Sequence, residues 1–397
     1  VPVSIKDLTL TKGIRTTEGS KIFEHRIPDQ DALIVERLKA EGAIVLGKTN
    51  TPEFGAGANT FNAVFGPTRN PWNPALTCGG STGGGAVALA TGLGPLAQGS
   101  DLGGSLRIPA AFCGVVGFRT SPGLVPVWPT TVAWDPWSVP GPMARTVADT
   151  ALMLSAIAGP DPRAPLSYAV DTRAFGRAVR EPRIKGLSVA WGGGLGVTPV
   201  DDEVSKTCHG AMSVFRKLGA RVEEEHPDFG GLHEIVLVSR GASMAARHAE
   251  KLPKWREVMQ ENLVKNIEYG LTLTAADIGR AERLRTELWH RVREFFGRYD
   301  LLVTPTAAVP PFPVEVVYPK EINRKPMTHY IEWALLTYAF TVVGLPAISV
   351  PCGFTRAGLP VGLQIVGRWR DEAGVLRAAA AFEAAAPWAH LRPPEPA

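Results

Sequence analysis

Apolar and polar positions alternate along the chain in blocks that predict both strands and helices. Short apolar runs bounded by glycine, proline or charge are typical of strands. Such runs lie at Val1–Ile5, Gly114–Phe118, Leu187–Trp191 and Ala220–Glu224, and further runs at Ala43–Gly47, Asp300–Thr304 and Ala347–Val350 predict buried strands. Helical spacing is found at Asp31–Glu41, Gly84–Leu93, Arg145–Ala158, Asp202–Leu218 and Glu372–Ala386, and polar helices fill Gly241–Phe296. This alternation predicts an α/β fold with a largely parallel or mixed sheet.

The composition is that of an ordinary globular protein, and it narrows the function classes. The 397 residues include 42 Lys and Arg against 38 Asp and Glu, a formal net charge of +4, without a run of five basic residues. This balance gives no case for a nucleic-acid partner, and no apolar stretch is long enough for a membrane segment. The four cysteines lie far apart without a C-x-x-C pair. Their spacing argues against disulfides and a zinc ribbon and favours a cytoplasmic location.

The glycines are concentrated in one region, where they accompany two serines. Ten of the 42 glycines fall between Gly79 and Gly104. One cluster surrounds Ser81 in GGSTGGG, and the other, DLGGS, ends at Ser105. Glycine lets successive backbone N–H groups turn towards a ligand. N–H groups beside a hydroxyl provide a nucleophile and an oxyanion hole, which is the minimal equipment for acyl transfer.

Several familiar sites do not fit these loops. A phosphate loop needs a lysine after its glycines, and none is present here. The G-x-S-x-G match at Gly79–Gly83 lacks the preceding strand of a hydrolase elbow, because Asn70–Cys78 is broken by prolines. None of the eight histidines lies in a setting that indicates catalysis, six of them being in polar helical or loop surroundings, and no H-x-H, H-E-x-x-H or S-x-x-K motif occurs. A catalytic zinc, a histidine base and a lactamase-like lysine are therefore unsupported.

A lysine can replace histidine as the base if burial lowers its pKa. Lys6 ends the apolar run Val1–Ile5 and is the lysine best placed for burial. A strand-end lysine that points to solvent is the ordinary alternative, which the residues alone favour while leaving both interpretations open.

Several motifs in order along the chain resemble the amidase signature family. They are PVSIKD, GGSTGGG and GSDLGGSLRIPAAFCGVVGFR, followed by GPMARTVAD, DLLVTPT, GLPAISVPCG and GLPVGLQIVG; GKTNTPEFG and FGPTRNPWNP lie between the first two. The resemblance implies a single large α/β domain whose central mixed, twisted sheet is covered by helices on both faces. We expect a signature core over residues 1–160, a surface linker at 160–182 and the rest of the same domain over 183–397. The start at Val1 predicts that an N-terminal helical segment is missing.

The resemblance also implies a Ser–cis-Ser–Lys triad. Matched position by position, the nucleophile is Ser105, the bridging serine after a cis peptide bond is Ser81, and the base is Lys6. The oxyanion would be held by the backbone N–H groups of Leu102, Gly103, Gly104 and Ser105.

Residues around the triad are expected to position it. Thr82 stands where the family often has a second serine, and its hydroxyl could orient the proton relay. Gly85 replaces a third serine and so removes a side chain beside the site. The contacts that this serine makes in other family members therefore cannot be assumed for this chain. Asp101 and Arg107 are expected to form a buried ion pair that fixes the loop, and Cys78 is expected to be a small buried thiol.

The substrate is the least determined property. Family members act on fatty acid amides, aryl amides, small primary amides, nylon oligomers and carbamates, and one branch is part of an amidotransferase. The resemblance places Gly55 and Ala56 along the substrate channel. Trp128, with Trp134 and Trp137, either lines an acyl or aryl pocket or caps the core. The apolar segment Tyr330–Thr341 either forms a wall of the pocket or packs in the core. The sequence near the site contains no arginine cluster, so it gives no indication of an acidic substrate.

We therefore predict an amidase for hydrophobic or aryl amides, esters or carbamates (a urethanase), without cofactor or metal. The small-molecule substrate is its expected partner, together with a second copy in a homodimer. The alternative within the family is a glutamine-dependent amidotransferase A-type subunit. The alternative outside it is a nucleotide-binding α/β protein that uses Gly192–Gly196, although this loop lacks the G-x-G-x-x-G spacing.

Overall fold

Strands and helices alternate through residues 1–394, the part of the chain described in the computed structural model. The strands are β1 (Pro2–Lys6), β2 (Ile44–Thr49), β3 (Phe61–Asn62), β4 (Gly66–Pro67), β5 (Leu96–Asp101), β6 (Val116–Arg119), β7 (Val139–Ala144), β8 (Ser188–Trp191), β9 (Arg221–Glu224), β10 (Leu301–Pro305), β11 (Glu321–Ile322), β12 (Lys325–Pro326), β13 (Ala347–Phe354) and β14 (Pro360–Gly367). The α-helices are α1 (Leu33–Ala40), α2 (Gly83–Ala90), α3 (Arg107–Cys113), α4 (Val147–Ile157), α5 (Arg173–Arg180), α6 (Asp202–Lys217), α7 (Leu232–His248), α8 (Leu252–Trp255), α9 (Glu261–Thr272), α10 (Ala275–Phe295), α11 (Leu335–Val342) and α12 (Glu372–Ala385). The predicted α/β class is confirmed.

Ten strands form one mixed sheet in the order β2-β1-β5-β7-β6-β13-β14-β10-β8-β9. Strand β1 runs parallel to β2 and β5, and β8 runs parallel to β9 and β10. The central pairs, from β5–β7 through to β10–β14, are antiparallel. The prediction of a mixed sheet is therefore also confirmed.

Helices cover both faces of this sheet. In β13 and β14, Ile348 and Ile365 belong to a hydrophobic cluster that includes residues of α1, α4, α6 and α12. Ala347 and Val366 belong to a second cluster, with residues of α7, α10 and α11. Successive residues of a strand point to opposite faces, so the two clusters lie on opposite sides of the sheet. Among the helices of residues 1–394, none has the length and apolar character needed to span a bilayer.

Parallel neighbours bring the candidate residues to one edge of the sheet. Strand β1 ends at Lys6, and β5 ends at Asp101, with Ile5 opposite Gln98 in the register. Ligands of α/β proteins bind outside the carboxyl ends of such strands. The lysine and the loop that carries Ser105 therefore begin at the same edge.

The strand predicted at Ala43–Gly47 exists as β2, but the prediction that it is buried is wrong. Strand β2 is the last strand at one end of the sheet, and Ile44 and Leu46 are 62% and 52% exposed. Successive side chains of a strand point to opposite faces: Val45 packs against the core, whereas the face that carries Ile44 and Leu46 is left uncovered at this end of the sheet.

The segment Pro160–Pro182, which we predicted as a surface linker, contains the helix α5. Phe175 and Ala178 of this helix are buried in the cluster that also holds α4 and α12. The eight residues of α5 include three arginines. Because the segment is so polar, its sequence gave no sign of the short buried face.

Candidate active site

Lys6 is a fully buried lysine whose amine contacts hydroxyl groups. Its Nζ donates to Ser81 Oγ at 2.7 Å, Thr82 Oγ1 at 3.0 Å and Ser100 Oγ at 3.1 Å. Burial lowers the pKa of Lys6 from 10.5 to about 7, although the negative charge of Asp101 opposes this shift. Burial disfavours the charged ammonium form because it removes the water that would solvate the charge. The surrounding hydroxyl groups are neutral and compensate for this loss only in part. A neutral amine is therefore available near neutral pH.

This pKa predicts a particular pH profile. We expect kcat/KM for an anilide substrate to rise with pH through about 7 and then level off, because the base must be neutral to accept a proton. Below that pH the amine is protonated, and an unshifted lysine would give a plateau only above 10.5. The check is a rate profile from about pH 5 to about pH 10. A rate still climbing steeply at the alkaline end would contradict the assignment of Lys6 as the base.

The loop before α2 presents Ser81 to the lysine. The Gly80–Ser81 peptide bond is cis, as the family resemblance implied. Ser81 is only 2% exposed, and Thr82 is fully buried. Beside them, Cys78 is buried, which raises the pKa of its thiol to about 12. Cys78 is therefore protonated at neutral pH, as a structural thiol is.

The loop that carries Ser105 is organised by one buried carboxylate. Asp101 accepts hydrogen bonds from the N–H groups of Gly104 (2.9 Å) and Leu106 (3.1 Å). It also forms ion pairs with Arg107 at 2.8 Å and Arg119 at 3.2 Å. Burial alone would raise the pKa of Asp101, but the two guanidinium groups outweigh it and hold that pKa far below its usual range. The predicted Asp101–Arg107 pair is confirmed, and Arg119 adds a second cation.

The oxyanion donors predicted from the family need one correction. The Gly104 N–H is already bonded to Asp101 Oδ1, so it is not free to hold an oxyanion. Within residues 1–394, no acceptor receives the N–H of Leu102, Gly103 or Ser105. Leu102, Gly103 and Ser105 also line the cavity. These three donors remain candidates for the oxyanion hole.

Gly103 is packed tightly against two side chains. A Cβ on Gly103 would lie 2.1 Å from Cζ of Tyr338, and the Gly103 carbonyl accepts from Thr337 Oγ1 at 2.7 Å. Both partners belong to α11, the helix within the predicted apolar segment. That segment therefore has two roles, since Tyr330, Ile331, Ala334 and Tyr338 reach the cavity wall while its other residues pack in the core.

A cavity of about 460 Å³ opens onto the three serines Ser81, Ser100 and Ser105. Gly55 lines it, and a Cβ there would stand 3.5 Å from Ser81 Oγ and 2.8 Å from Leu8 Cδ1. The expectation that Gly55 borders the channel agrees with this position. Ala56, which was also expected there, is not among the residues that line the cavity; it is 3% exposed and belongs to a cluster with Leu263 and Ile267 of α9.

The three tryptophans occupy different positions. Trp128 lines the cavity, and its ring carries the Arg163 guanidinium at 4.5 Å. Trp137 is buried in the core, and Trp134 is 73% exposed. The pocket interpretation therefore holds for Trp128, the core interpretation holds for Trp137, and neither fits Trp134.

Sequence reasoning missed Gln98 and Ser100, which contact Lys6 from the neighbouring strand. Gln98 Oε1 accepts the Lys6 backbone N–H at 3.2 Å, and Ser100 Oγ lies beside Nζ. The two residues are separated by two positions in β5, so they share one face of the sheet. A strand prediction over 96–101 would have revealed them. Elsewhere in residues 1–394, no group of three His, Cys, Asp or Glu side chains is arranged to hold a metal ion.

Comparisons with known proteins agree with this fold. The Amidase family model matches residues 1–376. The chain is 41% identical to an acylamidase of Rhodococcus erythropolis over 396 residues, which cover 99% of this chain and 83% of the relative. It is 38% identical to the A-type subunit of glutamyl-tRNA(Gln) amidotransferase from Thermus thermophilus over 416 residues, covering 99% of this chain and 86% of that relative.

Two solved structures extend the likeness. A bacterial aryl acylamidase of the amidase signature family matches with a TM-score of 0.89 at 33% identity, over 98% of this chain and 83% of that one. A 6-aminohexanoate cyclic dimer hydrolase with bound substrate matches with a TM-score of 0.91 at 27% identity, and the match covers 99% of this chain and 86% of the hydrolase chain. The chain belongs to the amidase signature family. It is an amidase, a hydrolase of carbon–nitrogen bonds other than peptide bonds, so the nucleotide-binding alternative is set aside.

Proposed function

We propose that this amidase hydrolyses hydrophobic or aryl amides, and esters and carbamates (urethanes) of similar shape, through an acyl-enzyme on Ser105. The observation that carries the proposal is the buried Lys6 amine, with a pKa of about 7, at 2.7 Å from Ser81 Oγ and in one cavity with Ser105. The acylamidase and aryl acylamidase relatives support this substrate class. So do the apolar side chains of Leu8, Ile108 and Trp128 in the cavity wall.

Acylation begins with a proton transfer. Neutral Lys6 Nζ takes the Ser81 hydroxyl proton while Ser81 Oγ takes the proton of Ser105 Oγ, which attacks the acyl carbon. The carbonyl oxygen gains negative charge, and the N–H groups of Leu102, Gly103 and Ser105 are available to hold it. The proton returns through Ser81 to the leaving nitrogen as the C–N bond breaks. The amine departs, and the acyl group stays on Ser105.

Deacylation reverses the route with water as the nucleophile. Water loses a proton through Ser81 to Lys6 and attacks the ester carbon of the acyl-enzyme. The tetrahedral intermediate collapses, Ser105 Oγ takes back the proton, and the carboxylic acid is released. The same base serves both halves because each half ends with Lys6 neutral again.

A fluorophosphonate probe tests the nucleophile. Attack by Ser105 Oγ on phosphorus expels fluoride and leaves a covalent adduct, so we expect one label per chain at Ser105. The label should disappear in Ser105→Ala and persist in Ser213→Ala, a control at an exposed serine of α6. Peptide mass spectrometry locates the adduct. A label on another serine, or none on the intact protein, would overturn the role proposed for Ser105.

A glutamine-hydrolysing component of an amidotransferase is the second candidate, and the likeness to the Thermus thermophilus relative supports it. The two candidates differ in what they hydrolyse alone. An anilide hydrolase acts without partner chains, whereas glutaminase activity that arises only when partner chains are added would favour the second candidate. One comparison of ammonia and aniline release, with and without partners, separates them.

Two finer proposals accompany this function. The four cysteines are free thiols, which fits the cytoplasmic location proposed from their spacing. A homodimer is proposed as the assembly, and light scattering on purified protein measures it directly.

A further inference from the structure

Arg240 is a buried arginine that borders the active-site cavity without a carboxylate partner. It lies on α7, is 6% exposed and forms part of the cavity wall. Its guanidinium donates to neutral groups: Asn266 Oδ1 at 3.2 Å, the Tyr330 hydroxyl, and the Tyr338 hydroxyl at 3.0 Å. Across residues 1–394, no Asp or Glu forms an ion pair with it, and Nη2 donates to no protein acceptor.

A neighbouring arginine on the same helix gives the contrast. Arg247 also lines the cavity, but its guanidinium is paired with the carboxylate of Asp135. Burying a cation costs free energy unless a negative group compensates for the lost water. Arg247 has that group in the protein, and Arg240 does not. The missing negative charge can therefore come from a molecule in the cavity.

The position of Arg240 relates it to the reacting atoms. The ring of Tyr338 fills the space that a side chain at Gly103 would occupy, and the hydroxyl of the same tyrosine accepts from Arg240 Nη1. Only one side chain thus separates the guanidinium from the loop that offers N–H groups to the oxyanion. Arg240 and Ser105 also line the same cavity, so a substrate that extends through it can contact both residues.

We propose that Arg240 recognises a carboxylate on the substrate, so that this amidase prefers anionic amides over neutral ones of the same shape. Guanidinium groups bind carboxylates through two parallel hydrogen bonds, and such charge-assisted bonds are the strong ones in a site shielded from water. The inference deepens the proposed function and rests on it. It was not visible in the sequence, where Arg240 is one arginine among polar helices far from Ser105.

Matched substrate pairs test the preference. For the acyl side, glutaryl 4-nitroanilide is compared with 5-oxohexanoyl 4-nitroanilide, in which a neutral methyl ketone replaces the carboxylate. For the amine side, 4-acetamidobenzoate is compared with 4-acetamidoacetophenone. We expect kcat/KM to favour the carboxylate by roughly 10-fold or more in one of the pairs. A ratio near one in both pairs would overturn the proposal.

Variants assign the preference to the residue. Arg240→Gln should lower the carboxylate-to-neutral ratio of that pair by roughly 10- to 100-fold, mainly through KM. Arg240→Lys should keep part of the ratio, because a lysine retains the charge but not the planar pair of donors. The double change Arg247→Gln and Asp135→Asn is the matched control, because it removes a paired cation and anion together and should leave the ratio unchanged. If Arg240→Gln slows both members of the pair equally, or if this double change alters the ratio as much, carboxylate recognition by Arg240 is refuted.

Direct binding separates this inference from the proposed function. In Ser105→Ala protein, calorimetry should show tighter binding of the carboxylate than of the neutral compound in the preferred pair, and the added Arg240→Gln change should remove the difference. Absence of turnover with every amide would refute the proposed function, but this binding comparison would still decide the role of Arg240. Hydrolysis of the neutral amides with equal binding of both compounds would refute the inference alone.

Discussion

Replacing Lys6 with alanine is expected to lower kcat/KM for an anilide by about 10²- to 10⁴-fold at neutral pH, the range for loss of a positioned general base. The amine stands 2.7 Å from Ser81 Oγ, and within residues 1–394 no other titratable side chain hydrogen-bonds to that oxygen. The loss should be smaller for a 4-nitrophenyl ester, because nitrophenolate departs without a proton whereas an anilide nitrogen must receive one. The measurement is kcat/KM for the anilide and the ester of one acyl group.

Lys48 provides the matched control for this experiment. It lies on β2 beside Ile5, and burial lowers its pKa to about 8, against the opposing charge of Asp7. Its amine contacts Thr11 and Thr16 rather than the serines of the site. Lys48→Ala should therefore leave the amide-to-ester ratio unchanged, even if it reduces stability. If Lys6→Ala reduced amide and ester hydrolysis by the same small factor, Lys6 would not be the base.

Replacing Asp101 with asparagine is expected to lower the free energy of unfolding by about 3 to 5 kcal/mol, the range for removing one partner of a buried ion pair. The variant leaves Arg107 and Arg119 buried beside each other without their shared carboxylate. Arg119 is especially dependent on it, since its Nε and Nη2 already have no hydrogen-bond partner within residues 1–394. The loss appears as an earlier midpoint in urea unfolding, followed by intrinsic fluorescence.

Asp171→Asn is the control for this loss. Asp171 pairs with Arg173 and Arg177 on the surface, where its side chain is 46% exposed. Surface ion pairs contribute little, so this variant should change the unfolding free energy by less than about 1 kcal/mol. Similar destabilisation by the two changes would indicate that Asp101 is not the organiser of the Ser105 loop.

The pattern of apolar positions predicted the class of fold. It missed two strands whose sequences contain prolines or polar residues in place of an apolar run. Strand β7 (VPGPMA) contains Pro140 and Pro142 and still lies between β5 and β6 in the sheet. Proline normally marks an edge or an interruption, so propensity argued against a strand there. Strand β5 carries Gln98, Ser100 and Asp101, and these polar side chains are held by the site rather than by the core. In both cases tertiary contacts outweigh local preference.

The sequence predicted those residues of the site that lie within continuous motifs. Ser81, Ser105 and Lys6 were assigned from the family resemblance, whereas the residues around Lys6 alone favoured a strand-end lysine that points to solvent. That Lys6 is buried follows from its place between β2 and β5, which no local pattern contains. The engagement of the Gly104 N–H by Asp101 and the approach of Arg240 to the cavity depend on folded geometry, and a one-dimensional pattern does not encode them.

The hydrogen bonds of Arg107 have a consequence for how this enzyme can be recombined with its relatives. Besides Asp101, its guanidinium donates to the Thr337 carbonyl, Thr341 Oγ1 and Gln364 Oε1, which follow it by more than two hundred positions. The loop that carries Ser105 is therefore built jointly by the first and last thirds of the chain. A chimera that joins the first part of this enzyme to the last part of another inherits a working loop only if these three acceptors come with it. Crossover points for directed evolution should be chosen so that Arg107 and these acceptors descend from one parent.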